Sequence, residues 1–426
     1  MTHNYRARIQ KVLATLKTSG THQALVVSSN PSTIKSADQH HTYRANSDLF
    51  YLTGITAPDV TLVVRTSESP NVIIVAPTKD PVRILWEGPQ PSLKGFATKA
   101  GATLLLSKEV RKSVRGLLRG TEVVYTQGFT GTVSASVRSE ISRLTGEAPK
   151  NSPHTVGSAE TFLAPLRLVK SASEIAAIRE AGEVTGEVLH AVLPLLEPGS
   201  SEREVGALID YYYRLCGGCP GFETIVAAGP SAATLHYHTL TRSIKDGDMV
   251  LIDTGIELGL YNADITRTIP VGTISEAQGV MYDSVLRAQY AAIKKVKHNA
   301  LIRDIYLAAA KELTIGLKEV GILKGQLSTL VSKGAYKPYF PHGIGHSLGI
   351  DVHDVGGLRG NQEARLQKGM VFTIEPGLYL PKATKHLPAC GVRIEDDVVV
   401  TASGCINLTE KVFPKEREAM ARTMAR

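Results

Sequence analysis

The stretch from Val250 to Thr268 reads VLIDTGIELGLYNADITRT, and it holds two aspartates where strands are expected. Asp253 directly follows an apolar run, and Asp264 lies in what reads as the returning strand of a hairpin. A tight turn at Leu258 and Gly259 predicts that Asp253 faces Asp264 across the two strands. Like charges in directly opposed positions destabilise a sheet. We therefore expect a positive centre between them.

The composition indicates a globular protein with more than one domain. The chain has 426 residues, of which 43% are hydrophobic and 21% charged. Its net charge of +8 is not gathered into a run of five or six like charges, so we expect no nucleic-acid partner. No stretch of 18 apolar residues occurs, so we expect no membrane span.

Cysteine usage favours a reducing compartment, because only four cysteines occur in so long a chain. Cys216 and Cys219 have CxxC spacing, but no second pair or nearby histidine pair completes a zinc site, so we expect two reduced thiols. The acid-free N-terminus, with a basic amphipathic helix at 5–16, leaves a mitochondrial presequence as an alternative. A strand follows at once, at 24–27, and we expect a cytoplasmic protein.

Two domains are predicted, 1–165 and 166–426. The first alternates strands with helical stretches, which is typical of an α/β domain. Its predicted strands are 25–27, 60–64, 72–75 and 123–125, and its predicted helices include 5–16 and 108–118. A stretch rich in Pro, Ser and Gly, 146–165, marks the expected boundary.

The second domain begins with a capping-box signature, Ser171 followed by Glu174. Helices and strands then occur in separate blocks, which favours an α+β domain. After the first helix, which ends before Pro198, we predict helices at 201–215, 278–296 and 301–320, and strands at 223–228, 248–253, 261–271 and within 369–409.

Two more carboxylates occupy apolar strands near the C-terminus. Glu375 ends a strand, and Glu395 lies within another, where the period of two places Arg393 on the same face. Burying ionised carboxylates without compensation is very costly, and a cluster of cations accounts for all four. With one imidazole added, the ligand set is oxygen-rich and suits Mn, Co or another divalent ion. Two ions sharing bridging carboxylates balance four negative charges better than one.

These segments resemble the pita-bread metallopeptidases, which include methionine aminopeptidase, prolidase and aminopeptidase P. The motifs IDTG, NADITRT, HGIGHSLGIDVHD, TIEPG and GVRIEDD occur in the family's order. The stretch YRANSDLFYLTG, from Tyr43 to Gly54, is similar to the N-terminal domain of aminopeptidase P, which methionine aminopeptidase lacks. The resemblance implies an α/β N-terminal domain and an α+β pita-bread catalytic domain.

The resemblance also implies an activity. It is that of a dinuclear-metal Xaa-Pro aminopeptidase, a peptide hydrolase that releases the N-terminal residue when proline is second. Two divalent ions per subunit, Mn in the first place with Co or Zn as alternatives, would hold a bridging hydroxide. Asp253 would bind one ion and His346 the other, and Asp264 and Glu395 would bridge both. Glu375 would bind metal and act as the general base.

Further roles follow from the resemblance alone. His353 would hold the scissile carbonyl or the developing oxyanion, and His236 would contact the substrate near the leaving nitrogen. His342 would line the substrate pocket. Tyr379 and Arg393 would lie in an outer layer of residues that holds the ligand Asp253 in place.

Other functions stay open at this point. Prolidase cuts only Xaa-Pro dipeptides and must hold the free carboxylate, for which Arg359 is one candidate. Creatinase shares the fold but not the metal centre. A catalytically inactive pita-bread module would bind proteins, but such relatives lose their ligands and all five positions are filled here.

A homodimer or homotetramer is a further expectation. In tetrameric relatives a tryptophan of the first domain reaches a neighbouring active site, and Trp86 lies in a similar place. The alternative is a partly buried tryptophan within its own domain.

Overall fold

The computed structural model describes residues 3–89, 91–127, 155–358 and 360–425. The chain divides into a first unit, Met1–Arg167, and a second unit, Leu168–Arg426. The predicted boundary between residues 165 and 166 falls inside a helix, Glu160–Leu168.

Strands and helices alternate along the first unit. Its elements are α1 (Tyr5–Lys17), β1 (Gln23–Ser28), β2 (Ile34–Ser36), β3 (Gln39–His40), α2 (Ser47–Thr53), β4 (Thr61–Arg65), β5 (Val72–Pro77), α3 (Pro81–Glu87), α4 (Leu93–Ala100), β6 (Thr103–Ser107), α5 (Val110–Leu117), β7 (Val123–Thr126), β8 (Thr155–Ser158) and α6 (Glu160–Leu168). The four strands and two helices predicted from apolar runs are all present.

These strands form a six-stranded sheet with the order β6-β5-β4-β1-β7-β8. It is mixed, because β5 pairs with β6, β1 with β7 and β7 with β8 in parallel, whereas β4 pairs antiparallel with both β1 and β5. Residues 24–27 of β1 are fully buried, as expected for a central strand covered on both faces.

The second unit groups its helices and strands in blocks. Its elements are α7 (Ala172–Val192), α8 (Glu202–Leu215), β9 (Cys219–Pro220), β10 (Ile225–Ala228), β11 (Met249–Thr254), β12 (Ile256–Leu258), β13 (Tyr261–Asn262), β14 (Ile265–Pro270), α9 (Glu276–Ile293), α10 (Ile302–Glu319), α11 (Leu327–Ser332), β15 (Val371–Ile374), β16 (Gly377–Leu380), β17 (Cys390–Arg393), β18 (Asp396–Val400), β19 (Cys405–Asn407) and α12 (Arg417–Met424). The strand orders are β10-β11-β14, β13-β12-β9, β15-β18-β19 and β16-β17.

Capping boxes fix the start of three long helices in this unit. Ser171, Ser201 and Ser275 each accept a hydrogen bond from the backbone N–H three residues on, and that third residue returns one with its side chain. Helices α9 and α10 pack against each other, and their apolar faces enter the main core of the unit.

The predicted register of the Asp253 hairpin is wrong by two residues. Asp253 pairs with Thr266, not Asp264, because the turn lies at Gly259 and Leu260. Both residues have positive φ, 58° and 69°, as a type I′ turn requires. A shift of two residues keeps side chains on the same face, so Asp253 and Asp264 still lie on one side of the sheet.

No helix among the described residues is long and apolar enough to cross a bilayer. The four cysteines form no disulfide, with Cys216 exposed and Cys219 half-buried.

Candidate metal centre and active site

Strand interruptions position three of the four predicted carboxylate ligands. Asp264 follows β13, Glu375 follows β15, and Glu395 follows β17. The prediction that Glu395 lies within a strand is therefore wrong, because the strand stops at Arg393 and a new one starts at Asp396. Where pairing is interrupted, a side chain is released from strict alternation and can be aimed elsewhere. Asp253 alone lies inside a strand.

Asp264, His346 and Glu395 form a buried cluster. One potential ligand atom from each lies within 4.8 Å of the others. The imidazole Nε2 of His346 is 3.4 Å from Oδ2 of Asp264 and 3.8 Å from Oε1 of Glu375. Its Nδ1 lies 3.2 Å from the carbonyl oxygen of Ser347. A hydrogen bond donated there leaves Nε2 as the lone-pair atom facing the carboxylates.

Asp253 is held at the edge of this cluster by Arg393. Nη2 of Arg393 donates to Oδ2 of Asp253 at 2.5 Å, and both side chains are largely buried. The other oxygen of Asp253, Oδ1, is buried and has no hydrogen-bond partner among the described residues. An acceptor left in this way is costly unless something positive meets it.

The acidic groups raise one another's pKa. Burial raises the pKa of Asp264 well above its ordinary value, and the charges of Glu395 and Asp253 add to the effect. Burial likewise raises the pKa of Glu395, and Glu375 and Asp253 follow as causes. Such a site binds protons in place of cations when no metal is present.

The chemistry of these residues fits divalent ions. It offers carboxylate oxygens and one imidazole nitrogen, and its orphaned Asp253 oxygen needs a positive partner. The tight cluster contains three of the five predicted ligands. Asp253 and Glu375 lie beside it, near enough for their charges to shift the pKa of Asp264 and Glu395.

A hydrogen-bonded chain connects Asp253 to His342. Nη1 of Arg393 donates to the Tyr379 hydroxyl at 3.0 Å, and that hydroxyl lies 2.9 Å from Nε2 of His342. Nδ1 of His342 is 2.8 Å from the carbonyl oxygen of Gly343. Burial lowers the pKa of His342 and raises the pKa of Tyr379 to about 12, so both are neutral near pH 7. A neutral His342 therefore accepts a hydrogen bond from the Tyr379 hydroxyl through Nε2.

Two exposed histidines lie near these residues, His353 beside His346 and His236 beside His342. The ring of His353 lies 4.3 Å from that of His346, centroid to centroid, in an edge-on arrangement. His236 is near enough to His342 for its charge to help lower the pKa of that histidine.

Thr266 and Asp397 hold the predicted ligands in place and were not predicted from the sequence. The Thr266 hydroxyl donates to Oε2 of Glu395 at 2.6 Å and accepts from Nε of Arg393 at 3.1 Å. Oδ2 of Asp397 accepts the backbone N–H of Asp264 at 3.1 Å. The run Glu395-Asp396-Asp397 could have pointed to Asp397, because each of three consecutive acids near a buried strand needs its own hydrogen-bond donor or cation.

Sequence comparison gives two family matches and close relatives. Residues 176–402 match the family model "Metallopeptidase family M24", and residues 5–125 match "Aminopeptidase P, N-terminal domain". The Xaa-Pro aminopeptidase of Escherichia coli (strain K12) is 33% identical over 413 residues, 94% of each chain. Xaa-Pro aminopeptidase 3 of Homo sapiens is 32% identical over 93% of this chain and 80% of its own.

Structure comparison gives the same result. Proline aminopeptidase P II from Yersinia pestis superposes with a TM-score of 0.90 at 33% identity and covers 100% of both chains. Zinc-substituted Escherichia coli aminopeptidase P in complex with product also gives 0.90, at 31% identity, over 99% of this chain and 98% of its own. The predicted fold, an N-terminal α/β domain and a pita-bread catalytic domain, is confirmed.

Proposed function

This chain belongs to metallopeptidase family M24, and we propose that it is an Xaa-Pro aminopeptidase acting on peptides with proline in second position. The coarser prediction of a metallo-aminopeptidase is confirmed, and an inactive binding module is no longer favoured. The observation that carries the proposal is the buried cluster of Asp264, His346 and Glu395 in a chain that matches named Xaa-Pro aminopeptidases along both domains.

We propose two divalent ions per subunit, with Mn as the first choice. Asp253 would hold one ion and His346 the other, while Asp264 and Glu395 would contact both. Divalent ions, when bound, supply Lewis acidity and make water acidic enough to lose a proton near neutral pH.

The remaining groups work on the substrate and its proton. Glu375 has one-fifth of its side chain exposed and lies 3.8 Å from His346, so its carboxylate can accept the proton of the attacking water. His353 would donate a hydrogen bond to the scissile carbonyl oxygen, where negative charge develops. His236 would contact the substrate near the leaving nitrogen. Arg393 and Tyr379 keep Asp253 and His342 in fixed positions.

The substrate class follows from the relatives' names, and its chemistry explains why a dedicated enzyme is needed. An Xaa-Pro bond is a tertiary amide without an N–H, and the proline ring fixes φ. A peptidase that docks its substrate as an extended strand loses one donor at that bond. Prolidase is not favoured, because the relatives reported above are named as aminopeptidases. Arg359, the residue predicted to hold a dipeptide carboxylate, lies outside the described residues.

Hydrolysis of Arg-Pro-Pro and of Arg-Pro, each measured with and without a chelator, tests the proposal. We expect release of arginine from the tripeptide, loss of activity on chelation, and recovery when Mn is returned. Cleavage of the dipeptide alone would assign the protein to the prolidases instead. Parallel recovery with Co and Zn ranks the metals.

Three finer proposals concern the protein in the cell. We propose a cytoplasmic homodimer or homotetramer that uses Mn. Imaging of a fluorescent fusion tests the compartment, sedimentation tests the assembly, and metal analysis of protein purified without added ions tests the metal. Predominant zinc in that analysis would replace Mn in the proposal.

A further inference from the structure

Glu202, the first residue of α8, carries a completely buried carboxylate, and no basic side chain in the described part of the chain forms an ion pair with it. Oε1 accepts the backbone N–H of Ala228 at 2.8 Å. Oε2 accepts the backbone N–H of Arg242 at 2.9 Å and the Tyr237 hydroxyl at 2.8 Å. Three donors and the N-terminus of a helix stabilise the negative charge.

All three donors belong to one segment of the chain, residues 228–242, which we call the excursion. Strand β10 ends at Ala228, a short 3-10 turn covers Gly229–Ala233, and residues 234–241 contain neither helix nor strand. The backbone N–H of Glu202 also donates to the carbonyl oxygen of Arg242 at 3.1 Å. Glu202 therefore closes the excursion at both ends and holds its middle through Tyr237.

The middle of the excursion carries His236. Leu235 and Tyr237 pack against an apolar cluster that includes Leu251 and Tyr379. His236 lies between these two residues and is exposed. The same apolar cluster thus contains Tyr379, which hydrogen-bonds His342, and packs against both chain neighbours of His236.

We propose that Glu202 is a positioning residue for His236, holding the 228–242 excursion so that this imidazole meets the substrate. Stability alone is a poor reason for the arrangement, because a buried carboxylate without a cation is costlier than an apolar side chain of similar size. Its three hydrogen bonds fix the geometry of a segment that has no secondary structure of its own. The inference rests on the proposed function for the role of His236.

Glu202→Gln and Glu204→Gln form a matched pair for the test. In Glu202→Gln an amide N–H₂ faces a backbone N–H, so one buried donor loses its acceptor. Glu204 lies on the same helix, and glutamine can replace it in the capping box. Each variant is assayed on Arg-Pro-Pro in the wild-type and the His236→Ala backgrounds, together with its metal content.

We expect Glu202→Gln to lower kcat/KM about 10- to 100-fold, the size of effect that a misplacement near 1 Å produces. Glu204→Gln should stay within about twofold of wild type. In the His236→Ala background, Glu202→Gln should add less than about twofold, since residues that act as one unit are not additive. The proposal would be overturned if the losses of kcat/KM caused by Glu202→Gln and His236→Ala multiplied in the double variant, or if Glu202→Gln lost bound metal.

Hydrogen exchange separates this inference from the proposed function. Glu202→Gln should speed amide exchange within 234–241, and Glu204→Gln should leave it unchanged. Unchanged exchange in Glu202→Gln would refute the positioning role whatever the substrate is. A wild-type protein that does not cleave Arg-Pro-Pro would refute the proposed function, and the exchange result would still stand. If Glu202→Gln does not fold, Tyr237→Phe removes one donor and leaves Glu202 two partners, with the same loss expected on a smaller scale.

Discussion

Asp264 and Glu395 bring two buried carboxylates to within 4.8 Å of each other. We expect Asp264→Ala and Glu395→Ala each to abolish both metal binding and hydrolysis, because each side chain would serve both ions. Metal analysis of the purified variants and the Arg-Pro-Pro assay check this. Glu183→Ala, on an exposed position of α7, is the control and should behave as wild type. A variant at either site that keeps two ions and full activity would rule out the bridged centre.

The raised pKa values of Asp264 and Glu395 predict how metal-free protein responds to pH. Folded protein then keeps protons that the unfolded chain releases above the ordinary values of 3.8 and 4.5. The free energy of unfolding therefore falls as pH rises from those values towards the raised ones. Added Mn should stabilise the protein increasingly over the same window, because metal displaces those protons.

Thermal unfolding with and without Mn, repeated across this pH window, measures the effect. Asp264→Asn removes one of the two titrating carboxylates and should flatten the pH slope of the metal-free protein. An equal slope in wild type and variant would show that Asp264 does not titrate there. Hydrolysis should also fall in acid, where protonated carboxylates release metal, and an acid optimum would contradict the metal site.

At the scale of elements, the hairpin shows what sequence reasoning resolves and what it does not. Alternation and the glycine located the turn to within one residue and the shared face of Asp253 and Asp264 correctly. The register failed because Leu260, not Leu258, adopts positive φ beside Gly259, a choice that leucine's own preferences oppose. The end of a strand at Glu375 was predicted. The interruptions at Asp264 and Glu395 were not, because contacts from distant segments, such as Asp397 to the Asp264 backbone, accompany them.

Gly255 and Gly259 provide a matched pair of substitutions in this hairpin. A Cβ at 255 would lie 1.8 Å from the carbonyl oxygen of Ala263, which directly precedes Asp264. Gly255→Ala should therefore displace the Asp264 segment, destabilise the protein by about 1–3 kcal/mol or more, and weaken metal binding at least tenfold. Gly259 has φ +58° and no atom near its missing Cβ.

Gly259→Ala should cost only about 1–2 kcal/mol and leave metal affinity unchanged. Calorimetric metal titration and thermal unfolding measure the two effects separately. Comparable metal affinity in both alanine variants would mean that the close approach at Gly255 does not set the position of Asp264.

At the scale of the whole molecule, composition and periodicity narrowed the possible fold classes but could not predict which distant residues meet at the site. His236, His346 and Glu395 are far apart in the chain, and no period relates them. Their convergence was expected because several motifs resemble one family in the same order. The need of several buried carboxylates for cations, by contrast, follows from residue type alone. For Glu202 residue type was not enough: a single glutamate at the start of a helix does not predict the three hydrogen-bond donors that its carboxylate meets.

The proposed homodimer or homotetramer can be tested at the exposed surface around Trp86. Trp86 is the only tryptophan, and it is 78% exposed on α3, a helix with no buried residue. The alternative of a partly buried tryptophan is therefore wrong for the single chain. Leu85 and Val82 on the same helix are 84% and 63% exposed, and such a patch favours contact with another protein surface.

We expect Trp86 emission to shift to shorter wavelength as protein concentration rises and a second copy covers the patch. Sedimentation should show a dimer or tetramer that Trp86→Ala weakens at least tenfold, because the aromatic side chain supplies much of the apolar contact. Leu215→Ala removes an exposed apolar side chain from α8 and serves as the control, with unchanged assembly. A monomer at all concentrations, or an oligomer that Trp86→Ala does not affect, would exclude this face of α3 as the interface.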